Sequence, residues 1–127
     1  MNAPDGQEFL QIGQVAERTE LSLKAIRHYD DVGLVQPSAR SAEGFRLYTA
    51  TDIDRLMVIR RMKPLDFTLA EMKQLLDDPH AAPPAIGDAR AFVREMHAQA
   101  CQRCATLARQ LAYAEEFTDL LATHTDR

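Results

Sequence analysis

The chain has 127 residues, of which 46% are hydrophobic and 27% charged, and its formal net charge is −4. This length accommodates one compact domain plus one extended element, because domains usually take roughly 100–150 residues. No run of ~18 apolar residues is present, so the sequence predicts no membrane span. The two cysteines cannot build a disulfide framework, and we therefore expect a reducing, cytoplasmic setting. The first ten residues lack the pattern of an export signal and are expected to be a disordered lead-in.

The charges are distributed unevenly along the chain. Residues 21–63 contain eight Lys or Arg against five Asp or Glu, whereas residues 64–127 contain six against ten. Binding to phosphate depends on local basic clusters, so this asymmetry is more informative than the net charge. Mild charge segregation is also common in proteins that bind no nucleic acid, so the pattern favours DNA binding only together with motifs.

A helix, a tight turn and a second helix follow the lead-in. Apolar residues at helical spacing between Ile12 and Ala16 predict a short first helix. Ser22 is a suitable N-cap for a second helix over residues 23–32, and Gly33 provides its stop. This order is typical of a helix-turn-helix.

The second helix carries the candidate recognition residues. Lys24, Arg27 and His28 lie on its polar face with Tyr29 beside them, and Ser22 stands at its start. Arginine bonded to guanine is the commonest specific contact with a base edge, so we expect this set to contact bases or adjacent phosphates. The alternative is a solvated helix face, and for Tyr29 the alternative is a core aromatic.

Two short extended runs follow and predict a β-hairpin. They cover residues 34–37 and 45–48, with a polar loop between them, and Pro37 confines the first strand to a sheet edge. A hairpin in this position with arginines is typical of a wing that lies along the DNA backbone. We assign Arg40 and Arg46 to backbone contacts, and expect Tyr48 to pack beneath the wing while offering its hydroxyl to phosphate.

Two capping boxes then predict two helices. Thr49–Asp52 opens a helix that runs to about Met62, and Thr68–Glu71 opens a shorter one that closes near Pro79. Arg60 and Arg61 end the first of these. We expect one of them to reach the DNA backbone and the other to pair with a carboxylate.

The rest of the chain predicts a linker and one long helix. Residues 79–87 include three prolines, whereas residues 88–124 contain neither proline nor glycine and are followed by a short tail, 125–127. Small and apolar residues recur in this helix in steps of three and four, close to a heptad seam. Nothing else in so short a chain covers such a seam, so we expect a homodimer. Thr118 and the small alanines make the seam thin, which favours a close antiparallel approach of two helices. The sequence alone does not fix their relative direction. The seam contains Ala89 and Thr118 and the expected dimer-interface residues, Val93, Met96, Ala100, Cys104, Leu107, Leu111, Ala114 and Leu121.

Residues 12–76 resemble the MerR family of bacterial transcriptional regulators. Many positions agree in a fixed order, which makes the resemblance specific. The matching segments are Ile12-Gly13-x-Val15-Ala16, Ser22 to Arg27-His28-Tyr29, Val32-Gly33-Leu34-Val35-x-Pro37, Gly44-Phe45-Arg46-Leu47-Tyr48, Asp52-Ile53 with Leu56 and Ile59-Arg60-Arg61-Met62, and Phe67-Thr68-Leu69-x-Glu71-Met72-x-x-Leu75-Leu76. His28 and Phe45 depart from the tyrosines that are usual in the family, which removes two hydroxyls that could contact phosphate.

The resemblance implies a mainly α fold, with a winged helix-turn-helix domain over residues 11–78 and an antiparallel coiled coil over residues 88–124. It also implies a homodimer on a pseudo-palindromic promoter operator, two recognition helices in successive major grooves, and RNA polymerase at the same promoter. Relatives commonly activate by distorting promoter DNA, although repression is equally open. A small effector, if the protein has one, is expected between the coil and the linker near Phe92, Met96 and Leu107.

Cys101 and Cys104 suggest an alternative, a metal- or thiol-responsive regulator, with His97 as the one nearby additional ligand. Relatives that bind metal ions use cysteines at the ends of the dimerisation helix, whereas Cys104 belongs to the seam, where free cysteine usually behaves as a small hydrophobe. We therefore expect no metal and no cofactor. No enzyme motif is present, so we expect no catalysis. A coiled-coil module that binds another protein is the non-DNA alternative.

Overall fold

The computed structural model describes residues 8–77 and 88–125. The chain divides into two units, Met1–Pro79 and His80–Arg127, and each is described by itself. The whole of the predicted linker, residues 79–87, lies outside the described residues, as do residues 1–7 and most of the predicted tail. Over the two described ranges, no helix combines the length and apolarity that crossing a membrane would require.

The first unit is mainly helical with a small sheet, and the second is one helix, as the sequence predicts. The strands are β1 (Leu10–Gln11), β2 (Ala39–Arg40) and β3 (Arg46–Tyr48). The helices are α1 (Ile12–Thr19), α2 (Leu23–Asp31), α3 (Ala50–Met62), α4 (Leu69–Asp77) and α5 (Asp88–Thr125), and a 3₁₀ turn, Lys63–Leu65, follows α3.

The predicted helix caps are all formed. The Ser22 hydroxyl accepts a hydrogen bond from the backbone N–H three residues later, at 3.0 Å. Thr49 and Asp52 cap α3 reciprocally, with side-chain-to-backbone distances of 3.3 and 2.9 Å. Thr68 and Glu71 do the same for α4, at 3.1 and 2.9 Å. These bonds satisfy N–H groups that the first helical turn leaves unpaired.

The sheet corrects the predicted start of the domain. Leu10 pairs with Tyr48 and Gln11 with Leu47, so β1 is an antiparallel neighbour of β3. Leu10 is 6% exposed and belongs to the hydrophobic core. The predicted disordered lead-in therefore ends before Leu10, because a buried leucine in a strand is a structural residue of the domain.

The structure also differs from the predicted first strand of the hairpin. β2 lies at Ala39–Arg40, inside the predicted polar loop, where Ala39 pairs with Leu47 and Arg40 with Arg46. Leu34 and Val35 form no strand. Their N–H groups donate to the carbonyl of Tyr29 at 2.8 and 3.2 Å, which ends α2, and both side chains are buried.

The core of the first unit lies between the helices and one face of the sheet. Its buried members are Leu10, Val15, Leu21, Ile26, Tyr29, Leu34, Val35, Tyr48, Ile53, Leu56, Ile59, Met62, Met72 and Leu76. Asp52 attaches the base of the wing to α3, because its carboxylate accepts from the hydroxyl and the N–H of Ser38 at 2.6 and 3.1 Å. The residue that precedes the wing, Ser38, is therefore held against α3.

Tyr48 lies in this core and corrects another expectation. Its side chain is 0% exposed, and its hydroxyl has no hydrogen-bond partner among the described residues. Burial, with a further contribution from the charge of Asp30, raises the pKa of Tyr48 to about 12. In this conformation the hydroxyl is not offered to phosphate, because the core covers it.

Leu10→Ala is expected to lower the free energy of unfolding by about 2–3 kcal/mol, because it leaves a cavity between β1 and the core. Leu69→Ala is the matched control, since Leu69 is 41% exposed and should cost less than about 1 kcal/mol. Urea denaturation of both variants measures the difference. Equal losses would contradict the structural role of β1.

Tyr48→Phe is expected to leave stability unchanged or raise it by about 1 kcal/mol, because it removes a buried hydroxyl that makes no hydrogen bond. The parent should lose stability as pH rises above about 10, the pKa of an unfolded tyrosine, because the folded state holds that proton to about 12. The variant should lose less over this range in thermal unfolding. Tyr113→Phe, at a 66% exposed position, is the control. Weaker duplex binding by Tyr48→Phe would show that the hydroxyl reaches phosphate after a rearrangement.

Candidate nucleic-acid interface

The polar face of α2 presents two cations that have no partner in the described part of the chain. Lys24 and Arg27 are exposed, and neither makes a hydrogen bond or ion pair there. His28 is also exposed, and its ring lies against that of Tyr29 with centroids 6.1 Å apart. Ile26 is fully buried on the opposite face of the same helix. The core therefore fixes which side of α2 faces outward.

α2 and the wing share one shallow groove. It is lined by Gln11, Ile12, Arg27, Gly44, Phe45 and Arg46. Arg27 comes from α2 and Arg46 from β3, so the fold brings together two predicted DNA-contacting arginines that are 19 positions apart in the sequence.

The tip of the wing is a tight turn closed by three hydrogen bonds. The N–H of Gly44 donates to the carbonyl of Ser41 at 2.9 Å, the N–H of Ser41 donates to the carbonyl of Phe45 at 2.9 Å, and the N–H of Phe45 donates to the Ser41 hydroxyl at 3.0 Å. Gly44 has a φ of +89°, a conformation that favours glycine. The turn leaves Phe45 59% exposed at the tip. An apolar ring is thus presented where relatives often carry a tyrosine.

Asp30, at the end of α2, holds both wing arginines, a contact that the sequence analysis missed. Its Oδ2 accepts from Nε of Arg46 at 2.6 Å and from Nη2 of Arg40 at 3.2 Å. Asp30 is only 9% exposed, and its hydrogen bond raises the pKa of Arg46. The signal in the sequence is a carboxylate four residues after Ile26, on the apolar face of the helix, where a buried charge needs a partner.

The two tyrosines of the candidate set lie in the core. Tyr29 is 6% exposed and Tyr48 is fully buried. For Tyr29 this supports the core-aromatic alternative over the phosphate donor. The predicted packing role of Tyr48 matches its position in the structure, whereas its accessible hydroxyl does not.

Arg60 and Arg61, which are adjacent at the end of α3, have different surroundings. Nη1 of Arg60 donates to the carbonyl of Thr19 at 3.0 Å and lies 3.9 Å from a carboxylate oxygen of Glu20. It therefore caps the C-terminal end of α1, where a cation is favourable. Arg61 is exposed and has no partner within residues 8–77 and 88–125. Of the two, only Arg61 is left for a DNA contact.

α5 presents several apolar side chains that are exposed among the described residues. Of the predicted interface residues, Val93, Cys104, Leu111, Ala114 and Leu121 are exposed. Leu111 and Leu121 are 61% and 51% exposed, and Tyr113, Phe117 and Leu120 between them are 57–66% exposed. An apolar surface of this kind on one helix normally marks an interaction site.

The cysteines of α5 lie beside a histidine. Sγ of Cys101 is 3.5 Å from Nε2 of His97, one turn earlier, and both cysteines are free and exposed. Cys104 is therefore not a buried hydrophobe in the single chain. Among the described residues, no group of three or more His, Cys, Asp or Glu side chains is placed to hold a metal ion.

Two family models match most of the chain. The model of the MerR HTH family regulatory protein matches residues 10–78, which is the whole wing and helix-turn-helix unit. The model of the MerR DNA-binding region matches residues 53–113, from α3 into α5. The match that begins at residue 10 agrees with the position of β1.

Several regulators are similar in sequence. The transcriptional activator TipA of Streptomyces coelicolor is 39% identical over 105 residues, which cover 83% of this chain and 39% of TipA. The activator mta of Bacillus subtilis is 41% identical over 70 residues, 55% of this chain and 27% of mta. This chain thus spans less than half the length of these two relatives. A probable heavy metal-dependent transcriptional regulator of Haemophilus influenzae is 31% identical over 115 residues, 88% of this chain and 82% of the relative.

Solved structures agree with these relationships. A MerR-family regulator from Bacillus cereus has 29% identity and a TM-score of 0.61, with 87% of this chain and 76% of the other covered. The N-terminal part of the multidrug transporter activator of Bacillus subtilis has 31% identity and a TM-score of 0.55, covering 83% and 96%. The chain belongs to the MerR family, whose members are regulators of transcription and not enzymes.

Proposed function

We propose that this chain acts in the cytoplasm as a homodimeric, sequence-specific regulator on a pseudo-palindromic promoter operator. One observation carries the proposal. Arg27 of α2 and Arg46 of β3 line a single groove, and Arg27 and Lys24 beside it have no partner in the described residues. A helix and a wing that present cations side by side match the geometry of a winged helix-turn-helix on a duplex.

In this arrangement α2 enters the major groove and the wing follows the backbone. Arg27 and Lys24 face base edges or the adjacent phosphates, and His28 and the N-cap residue Ser22 are exposed as well. Arg40, Arg46 and Arg61 contact the backbone, which sets the register of α2 without reading sequence. Sequence selectivity then depends mainly on Arg27, because arginine can bond both acceptors of a guanine edge.

The net charge of −4 does not oppose this function. Affinity for phosphate comes from the counterions that a local cluster of Lys and Arg displaces, and it falls steeply with salt. Residues 21–63 carry three more basic than acidic residues, whereas after residue 63 the acidic residues outnumber the basic ones by four. The acidic residues after residue 63 reduce non-specific attraction to DNA, while residues 21–63 stay locally basic.

A second copy of α5 is the proposed cover for its exposed apolar residues. Leu111, Ala114 and Leu121 follow the three- and four-residue steps of the seam and are all exposed in the single chain. Pairing of two such helices buries these side chains and fixes the distance between two recognition helices. A two-fold symmetric dimer requires an operator with inverted repeats about one helical turn apart.

Distortion of the promoter is the proposed means of regulation, with RNA polymerase as the partner at the same site. The wing is tied to α2 by Asp30 and to α3 by Asp52, so it can resist the restoring force of deformed DNA. Bending a site costs about 1–6 kcal/mol, which backbone contacts from fixed arms can offset. A structural neighbour of the same fold, HiNmlR, is described as bound to promoter DNA.

A metal- or thiol-responsive regulator is the second candidate, favoured by the 3.5 Å contact between Cys101 and His97. A thiol and an imidazole one helical turn apart are a bidentate pair for a soft cation. One relative is named as a probable heavy metal-dependent regulator, and the structure of another, PbrR691, contains lead(II). Two ligands are fewer than a closed site needs, so this candidate requires further ligands from a second copy or from solvent.

The decisive experiment selects duplexes from a random pool with the purified chain and measures metal in the same sample. An inverted repeat recovered by metal-free protein supports the main proposal. Stoichiometric metal supports the second candidate. Recovery of no duplex at low ionic strength contradicts both and leaves a coiled-coil module that binds another protein.

Arg27→Ala should weaken binding to the selected duplex by about 1–3 kcal/mol and relax selectivity at one position in each half-site, because it removes a bidentate base contact. Arg109→Ala is the control, since Arg109 is an exposed arginine of α5. Titration of both variants, followed by a second round of selection, measures the effects. Unchanged selectivity for Arg27→Ala would place the recognition surface elsewhere.

Ala114→Glu should shift the dimer towards monomer by about tenfold or more, because pairing would bury an unpaired charge in the seam. Ala112→Glu makes the same change two residues earlier, which points about 200° away around the helix, and should leave the dimer intact. Both positions are exposed in the single chain. Sedimentation equilibrium measures the association. Equal behaviour of the two variants would argue against the proposed seam.

A further inference from the structure

Asp30 connects the recognition helix to the wing through a single oxygen atom. Its Oδ2 accepts hydrogen bonds from Arg46 at 2.6 Å and from Arg40 at 3.2 Å. We infer that Asp30 is a positioning residue that holds the two wing arginines for phosphate, so that α2 and the wing bind DNA as one unit. This inference rests on the proposed function and adds to it a residue that contacts no DNA.

The bonding pattern leaves donors free for a phosphate. Arg46 uses Nε towards Asp30, and its nearest approach to Asp31 is 3.8 Å, beyond hydrogen-bond distance. A guanidinium has five N–H donors, so those on the terminal nitrogens of Arg46 remain available. Arg40 uses Nη2 towards Asp30 and Nη1 towards the carbonyl of Gly44 at 3.2 Å, which fixes the turn at the wing tip as well.

Burial of Asp30 strengthens its contact with the two wing arginines. Asp30 is 9% exposed, whereas the Arg46 and Arg40 side chains are 24% and 50% exposed. The carboxylate is thus withdrawn from water while the cations still reach it, which strengthens charge-assisted hydrogen bonds. Arginine loses much rotational freedom when it binds, and holding it beforehand removes that cost from the binding step.

The charge of Asp30 and its role in positioning the arginines predict opposite effects of its removal on the affinity for DNA. As a charge alone, its carboxylate cancels part of the positive potential of the wing, and removing it should tighten binding to DNA. As a positioning residue, its removal should release both arginines and weaken binding. Asp31 separates the two effects, because it is the same residue type one position later, is 71% exposed, and lies 3.8 Å from Arg46.

The experiment compares Asp30→Asn with Asp31→Asn on the duplex selected by the parent chain, at several salt concentrations. We expect Asp31→Asn to bind as well as the parent or more tightly. We expect Asp30→Asn to bind on the order of tenfold more weakly than Asp31→Asn, because the charge-assisted bonds to Arg46 and Arg40 are lost. Equal or tighter binding by Asp30→Asn would overturn the inference.

A double-mutant cycle with Arg46→Ala tests whether Asp30 acts through the wing. We expect Asp30→Asn to have a smaller effect on affinity when Arg46 is already replaced, because only its contact with Arg40 is then left to lose. An effect of full size in the Arg46→Ala background would overturn the inference, since it would come from general destabilisation of the fold.

Thermal unfolding shows whether each variant is folded at the assay temperature. If Asp30→Asn is not, Arg46→Lys takes its place, because lysine keeps the charge but lacks the Nε–H and the fork of donors. Parent-like affinity of Arg46→Lys would overturn the inference. If the parent chain selects no duplex, the proposed function fails and the inference fails with it. If the parent binds and Asp30→Asn matches Asp31→Asn, the inference fails alone.

Discussion

The hydrogen bond between Asp30 and Arg46 is the contact on which the arrangement of the interface depends. The two residues are 16 positions apart, and their bond of 2.6 Å joins the last turn of α2 to the central strand of the sheet. Because α2 is oriented by the core and β3 lies between β1 and β2, this bond relates two rigid elements to each other. The proposed binding to an operator half-site needs that relation, since a helix in one groove and a wing on the neighbouring backbone must keep a fixed separation.

The arginines of this unit illustrate how one residue type serves different purposes in a small fold. Arg60 caps the end of α1, and Arg55 joins α3 to the carboxylate of Asp77 on α4 at 3.0 Å, where its hydrogen bond lowers the pKa of that carboxyl. These two stabilise the packing of the helices. Arg27 and Arg61 have no partner within the described ranges, and their charge remains available to a ligand. Arg46 combines both roles, because it is bonded through Nε and still partly exposed.

α5 presents the reverse situation, since the apolar side chains of its C-terminal part are not covered by any of the described residues. A helix of 38 residues with leucine, tyrosine and phenylalanine more than half exposed over its last four turns would be poorly soluble alone. The free energy of burying those side chains against a second copy is the driving force that we propose for assembly. The separation of the two recognition helices would then be set by the coil and not by the DNA-binding unit.

The sequence by itself determined the helices of this protein, because their signals are local. Ser22, Thr49 and Thr68 cap helices that begin within three residues of the capping side chain, and the long helix follows from a stretch without proline or glycine. The tertiary structure decided which residues are free to act. Leu10 is a core strand residue only because it meets Tyr48, and Arg60 is occupied only because Thr19, 41 positions earlier, lies beside it. Such contacts join distant parts of the chain, and no local pattern of residues encodes them.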